Sequence, residues 1–230
     1  QVKSPDDFLG YELGAHFTPH HKVAEYFRQT AAASTKNIKL IEYGKTNEGR
    51  PLLVAVISSP ENINKIEQIR ANNLSLATGK STVDLASQPA IVWLSYNVHG
   101  NEANSTETAM KMLYTLSSGT NTQANEWLRN TVVVIDPCLN PDGRDRYVNY
   151  FNSVVGEKPN SDPSSREHIE PWPGGRPNHY YFDLNRDWAW QTQVESKQRL
   201  TLYNQWMPQV HVDFHEQSYN EPYYFAPAAE

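Results

Sequence analysis

Two side chains that commonly bind zinc stand close together near the middle of the chain. His99 and Glu102 are separated only by Gly100 and Asn101, and they directly follow an apolar segment. A tight turn can aim an imidazole and a carboxylate at one point, and both are ordinary zinc ligands. His215 follows another apolar segment and could supply a third ligand. Two histidines, one glutamate and a water molecule are typical of an open catalytic zinc site, because structural sites are closed by four protein ligands.

The same residues also have ordinary structural interpretations. His99 could be a loop histidine whose nitrogens are satisfied by hydrogen bonds. Glu102 could be a first-turn residue that interacts favourably with the dipole of a following helix. A histidine and a glutamate at this spacing occur often by chance, so the pair alone indicates a metal only weakly.

Strands that end beside these residues would bring them to one edge of a sheet. Apolar segments at residues 91–98, 131–135 and 210–214 are predicted strands. They lead into His99, into the segment 140–143 (Asn-Pro-Asp-Gly) and into His215, respectively. In open α/β sheets, ligands collect beyond the carboxyl ends of the strands. We therefore expect one site at this edge.

The rest of the chain alternates helical and strand patterns. Thr18 is the predicted N-cap of a helix that ends near Ala33, and Asn104 with Glu107 predicts a capping box for another helix. Further helices are predicted at residues 61–76, 125–129 and 191–206, and further strands at 38–43, 51–58 and 222–226. Residues 150–181 contain five prolines and no periodicity, which predicts a long loop. The pattern predicts a single domain over residues 1–230, of the α/β class, with a mixed, mostly parallel sheet and helices on both faces.

The composition argues against several classes of protein. The 230 residues include 20 Lys and Arg against 26 Asp and Glu, a net charge of -6, which argues against a nucleic-acid-binding surface. No apolar run approaches the roughly 20 residues that a membrane span requires. Cys138 is the only cysteine, so no internal disulfide can form. A chain that opens at Gln1 is typical of an expressed segment or of a mature exported protein, and we expect the latter, periplasmic or extracellular. The sequence does not fix an oligomeric state.

Four motifs, in the same order, resemble those of the carboxypeptidase A-like zinc carboxypeptidases. Residues 96–102 (Tyr-Asn-Val-His-Gly-Asn-Glu) resemble the first zinc motif of that family, and residues 140–143 match its conserved turn. Residues 183–188 (Asp-Leu-Asn-Arg-Asp-Trp) resemble its substrate-carboxylate motif, and residues 212–215 (Val-Asp-Phe-His) its third-ligand strand. Residues 44–51 are similar to the segment between the family's first two strands. The resemblance extends over about residues 18–226.

The resemblance implies one zinc ion per chain, held by His99, Glu102 and His215. It also implies that Asp183 orients His99 through the ring nitrogen that does not face the metal. The ordinary alternative for Asp183 is a helix or turn cap.

The resemblance places Asn185 and Arg186 on the terminal carboxylate of a peptide substrate. The planar guanidinium group of arginine matches a carboxylate with two parallel hydrogen bonds. The ordinary alternative for Arg186 is a surface ion pair, for example with Asp187.

The family also uses a loop arginine to polarise the carbonyl of the bond that is cleaved. Counting back from Asn185 favours Arg166 for this catalytic role, with Arg176, Arg144 and Arg146 as rivals. A cation at this position would stabilise the negative charge that develops on the carbonyl oxygen.

The implied function is a zinc metallocarboxypeptidase that hydrolyses the C-terminal bond of peptides or proteins with a zinc-activated water. The family's general base is a glutamate on a later strand, and this chain ends 15 residues after His215. Glu216 should point to the other face of the sheet, and Glu221 and Glu230 have no geometric reason to return to the metal. We therefore expect a domain incomplete at its C-terminal end, which binds zinc and turns over slowly or not at all.

Two other functions would use the same three ligands. One is a zinc amidohydrolase or deacylase that acts on acyl-amino acids or cell-wall peptides. The other is a non-catalytic module that binds peptide C-termini. The long loop at residues 150–181 and the neighbouring Asn185 and Arg186 favour a peptide as the partner.

Overall fold

Five strands form one sheet in the computed structural model, which describes residues 2–80 and 83–217. They are β1 (Ile38–Lys45), β2 (Pro51–Ile57), β3 (Ala90–Tyr96), β4 (Thr131–Asp136) and β5 (Val210–Phe214). Their order across the sheet is β1-β2-β4-β3-β5. β3 pairs in parallel with β4 and β5, whereas β2 pairs antiparallel with β1 and β4. The mixed sheet is confirmed, and its parallel part consists of the three strands that precede the predicted site. The strand predicted at 222–226 lies outside the described residues.

The described residues include eight α-helices, which pack around this sheet. They are α1 (Pro5–Leu9), α2 (His20–Ala33), α3 (Pro60–Asn64), α4 (Ile66–Ala77), α5 (Asn104–Ser117), α6 (Thr122–Trp127), α7 (Pro141–Val154) and α8 (Val194–Trp206). No helix in the described ranges is both long and apolar enough to cross a membrane.

Both faces of the sheet are covered, and β2 shows how the sequence achieves this. Leu53 and Ala55 belong to a core that includes apolar residues of α2 and α5. Val54 and Val56 belong to a second core with residues of α4 and α8. Successive side chains of a strand point to opposite faces, so a continuous apolar run supplies both cores. Each large side chain buried in this way contributes roughly 1.5–3 kcal/mol. Helices on both faces are therefore confirmed.

The helix starts near residues 18 and 104 differ from the predicted caps. α2 begins at His20 after Pro19, without a capping side chain. Thr18 is instead fully buried, and its backbone N–H and hydroxyl group both donate to the Glu107 carboxylate. α5 begins at Asn104, also without a side-chain cap from the preceding residue. The capping-box prediction was wrong because Glu107 bonds a distant segment rather than its own helix end.

The helix α7 was not predicted. The segment 140–143 was interpreted as a turn, but the structure continues it as a helix to Val154 and so shortens the predicted loop. The side chain of Asn140 accepts a hydrogen bond from the backbone N–H of Gly143 at 3.0 Å, and Pro141 occupies the first helical position. Asparagine at the cap followed by proline is a helix-start signal, so the sequence contained the information. The helix predicted at 61–76 is divided at Lys65 into α3 and α4.

The three parallel strands end at the same level of the sheet. Ser95 of β3 is in register with Asp136 of β4 on one side and with Asp213 of β5 on the other. The residues that follow these strands therefore meet at one edge, as predicted.

Candidate metal centre and substrate site

His99, Glu102 and His215 lie together at this edge. One ligand atom from each lies within 4.8 Å of the others. The Nδ1 atom of His99 lies 2.7 Å from Oε1 of Glu102, and Nδ1 of His215 lies 3.1 Å from Oε2. Both imidazole rings therefore present the same nitrogen to a single carboxylate, and His99 and Glu102 are buried.

The turn that carries two of these residues is organised by Asn97. Its backbone has φ 60°, a left-handed conformation that asparagine adopts more readily than most residues. Its side-chain amide donates to the carbonyl groups of His99 at 2.7 Å and Glu102 at 2.8 Å. The side-chain oxygen of Asn97 accepts from the hydroxyl group of Thr106. Asn97 is not among the residues predicted for the site, although an asparagine directly after a strand is a recognised turn signal.

A carboxylate lies against the far nitrogen of each histidine. Nε2 of His99 is 3.0 Å from Oδ1 of Asp183, and Nε2 of His215 is 3.0 Å from Oδ2 of Asp213. Asp183 also accepts from the backbone N–H of Asn185, so it has the cap contact as well as the histidine contact that sequence analysis offered as alternatives. Asp213 was not singled out, although it alternates with His215 on one face of the predicted strand.

The electrostatics of the cluster follow from these contacts. Burial raises the pKa of Glu102, but hydrogen bonds from His215, His99 and the backbone N–H of Glu216 outweigh it and lower the pKa to about 2. Hydrogen bonds to Asp213 and Glu102 raise the pKa of His215 to about 10. An anionic carboxylate between two imidazoles is a donor set that suits a divalent transition metal.

Of the four arginines considered for carbonyl polarisation, Arg176 contacts the cluster. Its guanidinium group lies 3.5 Å from Oε1 of Glu102 and 3.3 Å from Oδ2 of Asp183. Arg166, which counting favoured, lies in the short 3₁₀ turn Arg166–His168 and is exposed. Within the described ranges its side chain makes no hydrogen bond or ion pair with the cluster.

The other two candidate arginines, Arg144 and Arg146, bind groups outside the cluster. Arg144 is fully buried and pairs with Glu107 at 2.8 Å. Arg146 donates to the backbone carbonyl groups of Gly174 at 2.6 Å and Asn178 at 3.3 Å. Sequence spacing could not decide among the four because the intervening segment has no regular structure.

Close backbone packing holds the Arg176 loop against the turn at residues 97–102, which carries His99 and Glu102. The backbone N–H of Gly100 donates to the carbonyl group of Arg176 at 3.3 Å, and the side-chain amide of Asn140 donates to the same carbonyl at 3.1 Å. A methyl group on Gly100 would lie 2.3 Å from backbone atoms of Gly143 and Gly175. Glycine is therefore required sterically at residue 100, and the unpredicted helix α7 forms part of the support.

Asn185 and Arg186 lie beside the cluster on the 3₁₀ turn Leu184–Arg186. The side-chain nitrogen of Asn185 is 3.4 Å from Nε2 of His215. Arg186 is exposed and forms no ion pair within the described residues. Asp187 instead accepts from Thr192 and the backbone N–H of Gln193, so the suggested pairing with Arg186 is wrong. The guanidinium group of Arg186 is thus available to an anionic ligand.

Glu216 caps helix α5, which follows the turn at residues 97–102. Its carboxylate accepts from the backbone N–H of Asn104 at 2.9 Å and from the Asn104 side chain at 3.1 Å. The backbone N–H of Glu216 donates to Glu102. A carboxylate used in this way stabilises the start of α5 and is not free to act as a base. Glu221 and Glu230 lie outside the described residues.

Comparison with known proteins gives the same family as the motifs. The sequence pattern of the zinc carboxypeptidases matches residues 23–212. No curated protein matches the chain. Among solved structures, carboxypeptidase A from Helicoverpa armigera is similar over 88% of this chain and 46% of its own, with 15% identity and a TM-score of 0.55. A metallo-carboxypeptidase from Burkholderia cenocepacia is similar over 84% and 40%, with 17% identity and a TM-score of 0.52.

A third solved structure is bovine thrombin-activatable fibrinolysis inhibitor, bound to tick carboxypeptidase inhibitor. It is similar over 89% of this chain and 62% of its own, with 14% identity and a TM-score of 0.56. The chain thus spans less than two thirds of each of these structures, and at such identities the likeness shows the fold. Because the family pattern covers most of the chain, this protein belongs to the zinc carboxypeptidase family.

Proposed function

We propose that the protein is a zinc-dependent metallocarboxypeptidase that releases the C-terminal residue of peptides. The observation that carries the proposal is the arrangement of the two histidines around Glu102. Each presents Nδ1 to the Glu102 carboxylate, and each has its Nε2 on a second carboxylate. A histidine that binds a metal through Nδ1 keeps its proton on Nε2, where a carboxylate partner fixes the tautomer and the ring.

His99, Glu102 and His215 would hold the zinc ion. Bound zinc would supply a Lewis acid and lower the pKa of a coordinated water to about 7. The three ligands leave a position open for water or substrate, as catalytic sites require.

The remaining residues of the site suit a peptide C-terminus. Arg186 is exposed and forms no ion pair among the described residues, and with Asn185 it can bind the terminal carboxylate. Arg176, rather than Arg166, would stabilise negative charge on the carbonyl oxygen, and its contact with Glu102 at 3.5 Å supports this assignment. A substrate held at these two positively charged points would present its last peptide bond to the zinc ligands.

Removal of the water proton requires a general base that the described residues do not provide. Glu216 follows His215 directly, but its carboxylate is bound to the start of α5.

The zinc site can be tested by elemental analysis of protein purified without chelators. We expect about one zinc per chain, and a loss of that zinc in His99→Ala and His215→Ala. His21→Ala, at an exposed residue of α2, is the matched control and should retain the metal. Protein that contains no zinc, or variants that retain it, would refute the proposal.

The substrate class can be tested by calorimetric binding of peptides with free or amidated C-termini. Loss of a hydrogen bond to a charged group costs about 1.5–3 kcal/mol, so Arg186→Ala should weaken binding of the free peptide about 10- to 100-fold. Arg129→Ala, at an exposed arginine on the loop after α6, is the control. Equal affinity for free and amidated peptides would favour the amidohydrolase. Binding of free C-termini by zinc-loaded protein that does not hydrolyse them would favour the binding module.

A further inference from the structure

Behind His215, the sheet edge carries a group of charged side chains around Asp213, whose carboxylate lies on Nε2 of that histidine. Asp213 of β5 lies two residues before His215. It is in register with Ser95 of β3, and Ser95 is also in register with Asp136 of β4, the strand on its other side. Arg199 of α8 is buried, with 2% of its surface exposed, and Asp136 is completely buried. Three ionisable groups therefore lie between the sheet and α8, next to a proposed zinc ligand.

Several atoms of this group have no hydrogen-bond partner among the described residues. They are Oδ1 of Asp213, Oδ1 of Asp136, and Nε and Nη2 of Arg199. Burying such atoms without partners is costly, so their presence requires a reason beyond packing. The other oxygen of Asp136 accepts from the hydroxyl group of Tyr43 at 2.9 Å. The other oxygen of Asp213 lies on Nε2 of His215 at 3.0 Å.

Arg199 is fixed in place as the cation that faces both aspartates. Its guanidinium group lies 3.6 Å from the ring centre of Trp188, close contact for a cation on an aromatic face. Burial lowers the pKa of Arg199, and the nearby Tyr43, Asp136 and Asp213 oppose that effect.

We propose that Asp213 is a positioning residue that fixes the ring of His215 and so raises the affinity of the site for zinc. This inference rests on the proposed zinc site. The two histidines then have equivalent carboxylate partners. Asp183 lies on Nε2 of His99, and Asp213 lies on Nε2 of His215. Asp213 acts through His215 and touches neither the metal nor the substrate.

A carboxylate in this position has three effects on the histidine. It selects the tautomer with the proton on Nε2, restricts rotation of the ring, and makes Nδ1 a stronger donor to the metal. Mutation of such a partner typically costs 10- to 100-fold in metal affinity. We expect a loss of this size for Asp213→Ala. Asp213→Asn should lose less, because the amide retains a neutral acceptor for the Nε2 proton.

The experiment measures the zinc dissociation constant by competition with a chromophoric chelator, on purified protein from which metal has been removed. Urea unfolding of the same metal-free samples gives the folded fraction, so that a loss of folding is not counted as a loss of affinity. Val212→Thr is the matched control, because it alters the same strand at the neighbouring residue, whose side chain points to the other face. Its zinc affinity should equal that of the wild type.

Absorption spectra of the cobalt-substituted proteins provide a readout that a structural role would not change. We expect the spectrum of Asp213→Ala to differ from that of the wild type, since a loosely held His215 alters the ligand geometry. Unchanged zinc affinity and an unchanged cobalt spectrum in folded Asp213→Ala would overturn the inference while leaving the zinc site intact. Failure of the wild type to bind zinc through His99 and His215 would instead refute the proposed function.

Discussion

Glu107 forms a buried ion pair with Arg144, and mutation of Glu107 distinguishes this role from that of a helix cap. A capping glutamate at a solvent-exposed helix start would cost about 0.5–2 kcal/mol when replaced by alanine. In the structure its carboxylate instead accepts from the Thr18 backbone N–H at 2.6 Å, the Thr18 hydroxyl group at 2.8 Å and the Arg144 guanidinium group at 2.8 Å. The side chains of Arg144 and Glu107 are 0% and 7% exposed.

Removing Glu107 leaves the Arg144 charge buried without its counter-ion. Breaking a buried pair in this way costs about 3–5 kcal/mol. The guanidinium group of Arg144 keeps hydrogen bonds to the backbone carbonyl groups of Thr18 and Ala103, but these neutral acceptors do not replace a counter-ion. We therefore expect Glu107→Ala to lower the free energy of unfolding by about 3–5 kcal/mol, a large part of the 5–15 kcal/mol typical of a domain.

Urea denaturation followed by circular dichroism measures this free energy, with an unchanged dependence on urea concentration as the check that the unfolding transition is comparable. Glu61→Gln is the matched control, since Glu61 is an exposed glutamate in the first turn of α3. The double variant Glu107→Ala with Arg144→Met should recover part of the loss, because the buried charge is removed as well. A loss of 1 kcal/mol or less in Glu107→Ala would refute the reasoning and support the capping interpretation.

Two further predictions concern the glycine at the ligand turn and a buried acid. Gly100→Ala should weaken zinc binding and lower the thermal unfolding temperature, because its methyl group would lie 2.3 Å from backbone atoms. Gly156→Ala has its nearest contact at 3.6 Å and should change neither, and equal behaviour of the two variants would contradict the packing argument. Burial raises the pKa of Asp136 from 3.8 to about 7, so between these pH values the folded protein holds a proton that the unfolded chain has lost. Stability from this group should therefore fall as pH rises from about 4 to about 7. The free energy of unfolding should decrease less across this pH range in Asp136→Asn than in the wild type. Identical pH dependence in the two proteins would refute the assignment of this effect to Asp136.

The general architecture was predictable because it depends on local patterns. Continuous apolar runs predicted β2, β3 and β4, and the observed bounds differ from the predicted ones by one or two residues. The alternation of strands and helices predicted the layered fold. The polar residues at strand ends predicted where His99 and His215 would meet, since parallel strands end at one edge.

The elements that were missed or misplaced depend on contacts distant in sequence. Thr18 and Glu107 each fit a local cap, and only tertiary packing brings them together across 89 residues. Among the candidate arginines, Arg176 was selected by packing of its loop on Gly100 and α7, which no spacing rule encodes. Helix α7 is different, because its Asn-Pro start was present in the sequence and was interpreted as a turn.

The sequence by itself determined the kinds of groups at the site and the strands that deliver them. Ligand types follow from side-chain chemistry, and strand ends follow from hydrophobic periodicity, so both can be read along the chain. Only the tertiary structure decided which nitrogen of each histidine faces Glu102 and which carboxylates, Asp183 and Asp213, lie behind the rings. It also decided that Arg186 forms no ion pair within the described residues, because Asp187 bonds Thr192 and Gln193 instead. Such pairings depend on distances and directions between segments far apart in the chain, and these are fixed by packing.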